Sequence, residues 1–422
     1  MTYEEALDFL YPLHRFGIKP GLERVHILLD LNGAPHKRLG KIVHIAGTNG
    51  KGTVAAALAS IFQASGRKTA LYTSPHLVDF TERIRINGVQ ISRKQVAHYC
   101  SLFMDAIIEN HSTFFEATTV IAFAWFADEG VEVSIIETGM GGRLDATNVV
   151  DSTYVVIPSI GMDHTEWLGE TPAKIASEKA AIIKKGCRVF TAVSIPEAFL
   201  PIQKKAESCE APLFIAGKDV VWRVSSAELG MIELNVRTAF RYYHALKVPL
   251  IGLFHASNIS LAVMVAEDVG IAPEHISSGL ERMLQTGYRA RLERIGTSPT
   301  VLLDVSHNPD GMRKTVNTLS SFRHAYRRVY VMLGLASDKD AQAIIRELLR
   351  LDCVFFLVNI PSERSVPAEV LCALCKKEGA EATVCSNGID GLGILRQKAC
   401  VDDLVLVTGS FYLAGAIIAA GI

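Results

Sequence analysis

"HIAGTNGKGT", residues 44 to 53, decides how the whole chain is read. Three glycines, Gly47, Gly50 and Gly52, surround one lysine, Lys51, between an apolar run at 41 to 45 and an alanine-rich segment at 53 to 65 that stops at Gly66. A strand that turns through glycines into a helix can aim its backbone N–H groups at phosphate oxygens, because glycine tolerates the left-handed conformations such a turn needs. The helix N-terminus adds the positive end of its dipole. A lysine at this place reaches the β- and γ-phosphates of a bound nucleotide. The common spelling of such a loop puts a hydroxyl residue directly after the lysine. Here Gly52 intervenes, and the hydroxyl arrives one place later, at Thr53. A glycine-rich turn with an idle lysine remains the alternative at this point.

Working outward, 422 residues are too many for one ordinary core and suit two or three domains. With 49% hydrophobic and 21% charged residues the composition is that of a globular chain, and a formal net charge of −1 provides no basic field for nucleic acid or an anionic membrane. Small molecules are therefore the expected partners. The first residues carry Glu4, Glu5 and Asp8 where a signal peptide needs a basic start. The apolar tail "LAGAIIAAGI" is far shorter than the ~20 residues of a membrane span. Eight cysteines lie scattered without the close, even spacing of a disulfide framework, so a cytoplasmic location is expected. Cys372 and Cys375 form a C-x-x-C, but no second ligand pair follows, and their helical spacing reads as packing.

Apolar, β-rich runs alternate with helical patterns at 68 to 73, 131 to 139 and 152 to 160, the pattern of a parallel sheet flanked by helices. Several of these runs are continuously apolar, as strands covered on both faces are. From about 215 to 250, Val220, Trp222, Val224, Ile232 and Leu234 alternate with polar neighbours, so a local antiparallel element is expected. After the arginine-rich "GYRARLERIG" (287 to 296), read as a linker, five more strand patterns follow. The expected architecture is α/β: an N-terminal P-loop ATPase domain with a mainly parallel sheet (1–295), then a smaller Rossmann-like C-terminal α/β domain (296–422).

Glu137 ends the run "VSIIE", at the carboxyl edge of a parallel sheet, where ligands gather and a carboxylate can hold Mg²⁺; capping a neighbouring helix is the alternative. The turn-rich "TGMGGRLDATN" (138 to 148) after it resembles a substrate loop. Asp163 and His164 are expected to end the next strand, as a functional pair or a simple surface hydrogen bond. A helix is expected from Thr171, its N-cap, to Gly186, with Pro172 in the first turn. On it Ile175, Lys179, Ile182 and Ile183 share an inward face. A buried ammonium must be paired, deprotonated or modified. Lys184 and Lys185 would simply complement the dipole of the last turn.

Together these pieces resemble the folylpolyglutamate synthase/dihydrofolate synthase branch of the Mur ligase family, which spells its loop G-T-N-G-K-G-[ST], as residues 47 to 53 do. The resemblance runs on through "GLERV" (21 to 25), "SPHL" (74 to 77), "ERIRING" (82 to 88), "FEATT" (115 to 119), "ETGMGGRLDATN" (137 to 148), "IGMDHTEWLG" (160 to 169), "IASEKA" (175 to 180), "DVSHNP" (304 to 309), "SDKD" (337 to 340) and "TGSFYL" (408 to 413). It implies ATP-driven amide ligation, in which a substrate carboxylate is phosphorylated and L-glutamate then attacks the acyl phosphate. Carried over by position, Gly47, Thr48, Asn49, Gly50, Lys51, Gly52, Thr53, Asn258, Arg291 and Asp304 would bind ATP. Ser74 and Glu137 would hold one Mg²⁺, and His164 the second together with Lys179, which matches the family's carbamylated lysine. Lys51, Lys179 and His307 would be catalytic. Gly21, Thr113, Phe115, Glu116, Leu144, Asp145 and Ala146 would meet the pterin of dihydropteroate or a reduced folate, with the Asp145 carboxylate suited to a planar donor pair. Each of these polar residues could instead be a cap or turn former.

The chain departs from the family at Tyr288, Arg289, Ala290 and Arg291, where Trp-Pro-Gly-Arg is usual, at Ala256, where a glutamine is common, and at "DVSHNP". These departures bear on the nucleotide contacts near the linker. A Mur-type ligase acting on a UDP-sugar peptide is a rival reading, though the 46 residues ahead of Gly47 leave no room for its UDP-binding domain. A nucleotide-binding switch without catalysis is another. A bifunctional, monomeric enzyme is expected, with the choice of acceptor left open.

Overall fold

The computed structural model describes residues 1 to 16 and 21 to 421. Eight strands build the first sheet: β1 (Lys41–Ile45), β2 (Thr69–Tyr72), β3 (Ile84–Ile86), β4 (Val89–Gln90), β5 (Val133–Glu137), β6 (Tyr154–Ile157), β7 (Arg188–Thr191) and β8 (Leu213–Ile215). Their order is β4-β3-β2-β5-β1-β6-β7-β8, parallel from β2 to β8, with β3 and β4 as an antiparallel edge. The central strands are continuously apolar because helices cover both faces. Ile45 of β1 pairs with Glu137 of β5, so the phosphate loop and that carboxylate leave the sheet side by side.

The loop helix, Lys51–Ala64, is buried at every position from Thr53 to Phe62. A helix apolar all round must be covered all round. Here the main sheet lies on one side, while the helix Phe254–Asp268 and a three-stranded antiparallel sheet share the same core on the other. That second sheet is the alternating region anticipated from sequence: β9 (Val220–Glu228), β10 (Met231–Thr238) and β11 (Tyr242–Val248), with Val220, Ile232, Leu234 and Val236 turned inward.

The third sheet holds β12 (Glu293–Thr297), β13 (Thr300–Leu303), β14 (Val329–Leu333), β15 (Cys353–Leu357), β16 (Ala382–Val384) and β17 (Leu404–Thr408), in the order β12-β13-β17-β14-β15-β16. The five expected strands are all present and parallel. The sixth, β12, occupies the second half of the expected linker and pairs antiparallel with β13, from Glu293 beside Leu303 to Thr297 beside Thr300. Its polar sequence reads as loop, but an edge strand tolerates such residues.

The expected helix from 171 is shorter than its pattern. Thr171 does cap it, accepting from the Lys174 N–H, and Pro172 opens it, but it ends at Ala180. Ile182 and Ile183 are buried from the turn that follows. Lys184 is no dipole partner either: its Nζ donates to the carbonyls of Asn148 (2.8 Å) and Val150 (2.7 Å), which pins this turn to the segment that follows β5. Cys372 and Cys375 are buried on the helix Ala368–Lys377, and no cluster of three potential metal ligands occurs among the described residues. No described helix is long and apolar enough to cross a membrane.

Candidate active site

The phosphate loop is laced to the segment that follows β6. The Thr48 hydroxyl donates to Gly161 O at 3.0 Å and accepts from Gly161 N–H at 2.9 Å, and the Asn49 N–H donates to Ser159 Oγ at 3.0 Å. Gly50 caps the loop helix at φ +89°, and a Cβ there would stand 2.6 Å from Asn258 Oδ1, so glycine is required for backbone and space alike. Lys51 folds back to donate to Gly47 O at 3.1 Å, with its Nζ 3.9 Å from Glu137 Oε1. The Thr53 hydroxyl lies 2.6 Å from Tyr288 Oη.

Glu137 ends β5 as expected and accepts from the Ser74 N–H at 3.3 Å. Burial raises its carboxyl, with Lys51 pulling the other way. Asp163 and His164 lie beyond the end of β6 at Ile157, not at it, because an irregular segment intervenes. His164 sits at φ +50° before a short helical turn, its imidazole pushed down to about 4 chiefly by burial, and so is neutral at physiological pH. Lys179 is only 4% exposed, and its side-chain amine makes no hydrogen bond or ion pair among the described residues. Burial, then the Lys51 charge, lowers it from 10.5 to about 7. An amine near neutrality is a nucleophile, which is what carbamylation requires.

The second domain closes over this edge. Asp304 directly follows β13 and is buried, and its carboxylate accepts from Leu292 N–H (3.1 Å), Ser306 N–H (2.9 Å) and Thr315 Oγ1 (3.1 Å), tying β12, β13 and the helix Pro309–Phe322 together. His307 Nδ1 is 2.8 Å from Val305 O and must carry the proton there, so Nε2 keeps its lone pair; burial lowers this imidazole further. Nε2 stands 3.9 Å from Asp163 Oδ2. Although burial opposes it, Lys339 with His164 and His307 holds the Asp163 carboxyl well below the usual carboxylate range; Lys339 Nζ lies 3.1 Å away and Asn308 donates at 3.0 Å. Asn49 reaches across to Asp310 at 2.9 Å. The Arg291 guanidinium lies over the rings of Tyr288 (5.7 Å) and Phe411 (4.9 Å).

One cleft of about 920 Å³ collects Gly47 to Thr53, Ser74, Glu137, His164, Lys179, Asn258, Arg291, Asp304 and His307. None of the expected pterin residues lines this cleft, and Thr113, Phe115, Glu116 and Asp145 are engaged structurally. Thr113 and Glu116 make a capping box for the helix Phe114–Asp128, and Glu116 also pairs with Arg24 at 2.9 Å. Gly21 precedes that arginine at φ +130°. The Phe115 ring fills the space at Gly139, where a Cβ would stand 2.6 Å from its Cζ. Asp145 caps the turn Ala146–Val149, accepting from Thr147 N–H (3.0 Å), Thr147 Oγ1 (2.5 Å) and Met140 N–H (2.9 Å), with Leu144 just before it and burial raising its carboxyl. Gly139 and Met140 connect this group to the cleft wall. Sequence reasoning missed Tyr11, His14, His76, Arg83, Lys339, Arg364 and Tyr412, which line the same cleft. Arg83 donates to His76 Nδ1 at 2.8 Å and lies over Phe114 at 5.2 Å. The strings "SPHL", "ERIRING", "SDKD" and "TGSFYL" contained four of these residues, but nothing in their spacing assigned them chemistry.

Residues 45–266 match the model of the Mur ligase middle domain and residues 290–411 that of the Mur ligase glutamate ligase domain. The chain is 32% identical over 425 residues to the dihydrofolate synthase/folylpolyglutamate synthase of Bacillus subtilis (strain 168), covering 97% of each chain. Its structure is similar to that of E. coli FolC in complex with DHPP and ADP, with a TM-score of 0.89 and 28% identity over 100% of this chain and 97% of that one. It is also similar to bifunctional folylpolyglutamate synthase/dihydrofolate synthase from Yersinia pestis complexed with AMPPNP and Mn ion, at a TM-score of 0.87 and 29% identity over 100% and 98%. The chain belongs to the Mur ligase family, in its folylpolyglutamate synthase/dihydrofolate synthase branch.

Proposed function

We propose that this chain is an ATP-dependent, ADP-forming amide ligase that joins L-glutamate to dihydropteroate and to reduced folates, a bifunctional dihydrofolate synthase/folylpolyglutamate synthase. The observation that carries the reading is the convergence of Lys51, Ser74, Glu137, His164 and Lys179 on one cleft that the second domain closes. The relatives named above match nearly the whole chain as glutamate ligases, so a UDP-sugar peptide ligase is not retained. A non-catalytic switch would leave His307 and Lys179 without a task.

The residues divide the work. Backbone N–H groups of Gly50 to Thr53, with Lys51 and Arg291, bind the triphosphate and meet the charge that spreads over the γ-phosphoryl oxygens as they transfer, while the N–H groups of Thr48 and Asn49 donate to Ser159. Asn258 lies against the loop at Gly50, and Asp304 fixes the wall beside Arg291. Ser74 and Glu137 fit one Mg²⁺ and His164 with Lys179 a second: a buried carboxylate and a neutral imidazole are oxygen and nitrogen donors, and a site with few protein ligands suits a cation that also binds phosphates. Bound Mg²⁺ would supply neutralising charge and orientation to the transferring group. Lys179, as free amine, adds CO₂ and releases a proton, turning a buried cation into an anion that faces the metal position. His307 Nε2 is placed to accept a proton or hydrogen bond from the attacking amine of glutamate. The group from Gly21 through Glu116 to Asp145 would take the pterin.

We also propose two working units, supported by their separate sheets; because β12 pairs with β13, the boundary expected at 295/296 moves to just ahead of Glu293. All the groups invoked come from one chain, which supports a monomer; a cytoplasmic location and no nucleic-acid or membrane partner complete the reading. It is tested by phosphate release with Mg-ATP and L-glutamate plus either dihydropteroate or tetrahydrofolate. Glutamate-dependent release with both acceptors, abolished by Lys51→Ala, is expected. Release with neither, from protein that binds ATP, would refute the substrate assignment.

A further inference from the structure

Between the start of the loop helix, the helix Phe254–Asp268 and the segment ahead of β12 lies a contact to which the mechanism above gives no task. Thr53 Oγ1 is 2.6 Å from Tyr288 Oη and 3.4 Å from His255 Nδ1. Thr53 and His255 are buried, and the Tyr288 ring packs on the core around the loop helix. A Cβ at Gly52 would stand 3.4 Å from Tyr288 Cε2, so the ring lies directly over the residue that interrupts the usual loop spelling. Three residues on, Arg291 rests its guanidinium on the same ring and lines the cleft, with no carboxylate in ion-pair range among the described residues. One aromatic side chain therefore touches the loop through its hydroxyl and an edge, and the cleft arginine through its face.

We propose that Tyr288 is a positioning residue for the nucleotide: its hydroxyl holds the Thr53 side chain, and its ring supports Gly52 and Arg291. This rests on the ATP reading of the loop. At 2.6 Å one of the two hydroxyls must donate, and a phenol is the better donor of the pair. Tyr288 thus gives its proton to Thr53 Oγ1, and the threonine's own proton is free to turn from His255 Nδ1, 3.4 Å away, to a nucleotide oxygen. The placement also bears on the G-K-G-T order: the hydroxyl at Thr53 meets the ring's oxygen, while a Cβ at Gly52 would only touch the ring at 3.4 Å.

Tyr288→Phe keeps the ring and removes the hydroxyl. Titrating Mg-ATP into the full-length variant is expected to show three- to tenfold weaker binding, the loss of roughly one hydrogen bond. The melting temperature and the KM for L-glutamate should stay at wild-type values. Thr53→Val should weaken ATP binding too, and the double variant should bind no worse than Thr53→Val alone, because the contact is already gone. Unchanged ATP affinity in Tyr288→Phe, or fully additive losses in the double variant, would overturn the proposal. So would parallel losses in ATP affinity, glutamate KM and melting temperature, which mark a packing residue. Wild-type protein that binds no ATP would overturn the reading of the loop, and the proposal with it.

Discussion

Lys179 shows how a single burial sets both chemistry and stability. The folded amine titrates near 7 and the unfolded one near 10.5, so folding must release a proton between these values. The penalty is full below about pH 7 and shrinks as pH rises toward 10.5, so this group makes stability increase with pH across that window. In CO₂-free buffer, wild-type protein is expected to gain about 2 kcal/mol relative to Lys179→Met between about pH 7 and about pH 9. Urea denaturation at the two values checks this; equal pH dependence in both proteins would place the charge elsewhere. For activity, CO₂-stripped wild type should regain turnover on adding bicarbonate. Lys179→Met should stay about a hundredfold down whether or not bicarbonate is present. This lysine was legible in the sequence because three apolar residues share its spacing. His76, Arg83 and Lys339 were not, since their meaning lies in contacts such as Lys339 with Asp163, 176 residues apart in the chain. Thr113 and Asp145 show the opposite case: cap chemistry was readable, and the structure uses both as caps.

Among the elements, the strands were the most legible, because continuous apolar runs between glycine-rich turns have few other uses in a chain of this composition. β12 was hidden, because an edge strand needs no apolar face of its own. The helix from Thr171 was overextended because apolar spacing persists through Ile183, while Lys184 bonds to Asn148 O and Val150 O draw the chain into a turn. Tertiary contacts override local pattern here. The loop helix depends on another close approach: Gly279, on the helix Pro273–Glu281, faces Ile61, and a Cβ there would stand 2.5 Å from the Ile61 Cα. Backbone cannot yield as a side chain can. Gly279→Ala is expected to destabilise the protein by about 1–3 kcal/mol and to weaken ATP binding as the loop helix shifts. A melting temperature and ATP affinity equal to wild type would show that the two helices can separate freely.

At the scale of the molecule, the two domains meet through polar contacts as well as apolar packing, with Ile251, Leu229 and Phe254 joining the core of the second domain. Asn49 bonds to Asp310, Asp163 gathers Lys339 and Asn308, and Gly415 of the helix Phe411–Ala419 touches the backbone at Leu77, three residues after Ser74. A side chain at 415 would overlap Leu77 O, so Gly415→Ala is expected to push that helix off the Ser74 segment and lower kcat/KM tenfold or more, with ATP binding to the isolated loop side changed far less. Steady-state kinetics beside ATP titration would show whether the two losses separate; a variant with wild-type kcat/KM would mean that this contact does not set the closed geometry. Glutamate ligation through an acyl phosphate is tested most directly with dihydropteroate whose carboxylate carries heavy oxygen. One heavy oxygen in each phosphate released is expected, dependent on L-glutamate for sustained turnover and absent with Lys51→Ala. Ligated product accompanied by unlabelled phosphate would contradict the acyl-phosphate route, and labelled acceptor recovered without any glutamate attached would contradict the ligase itself.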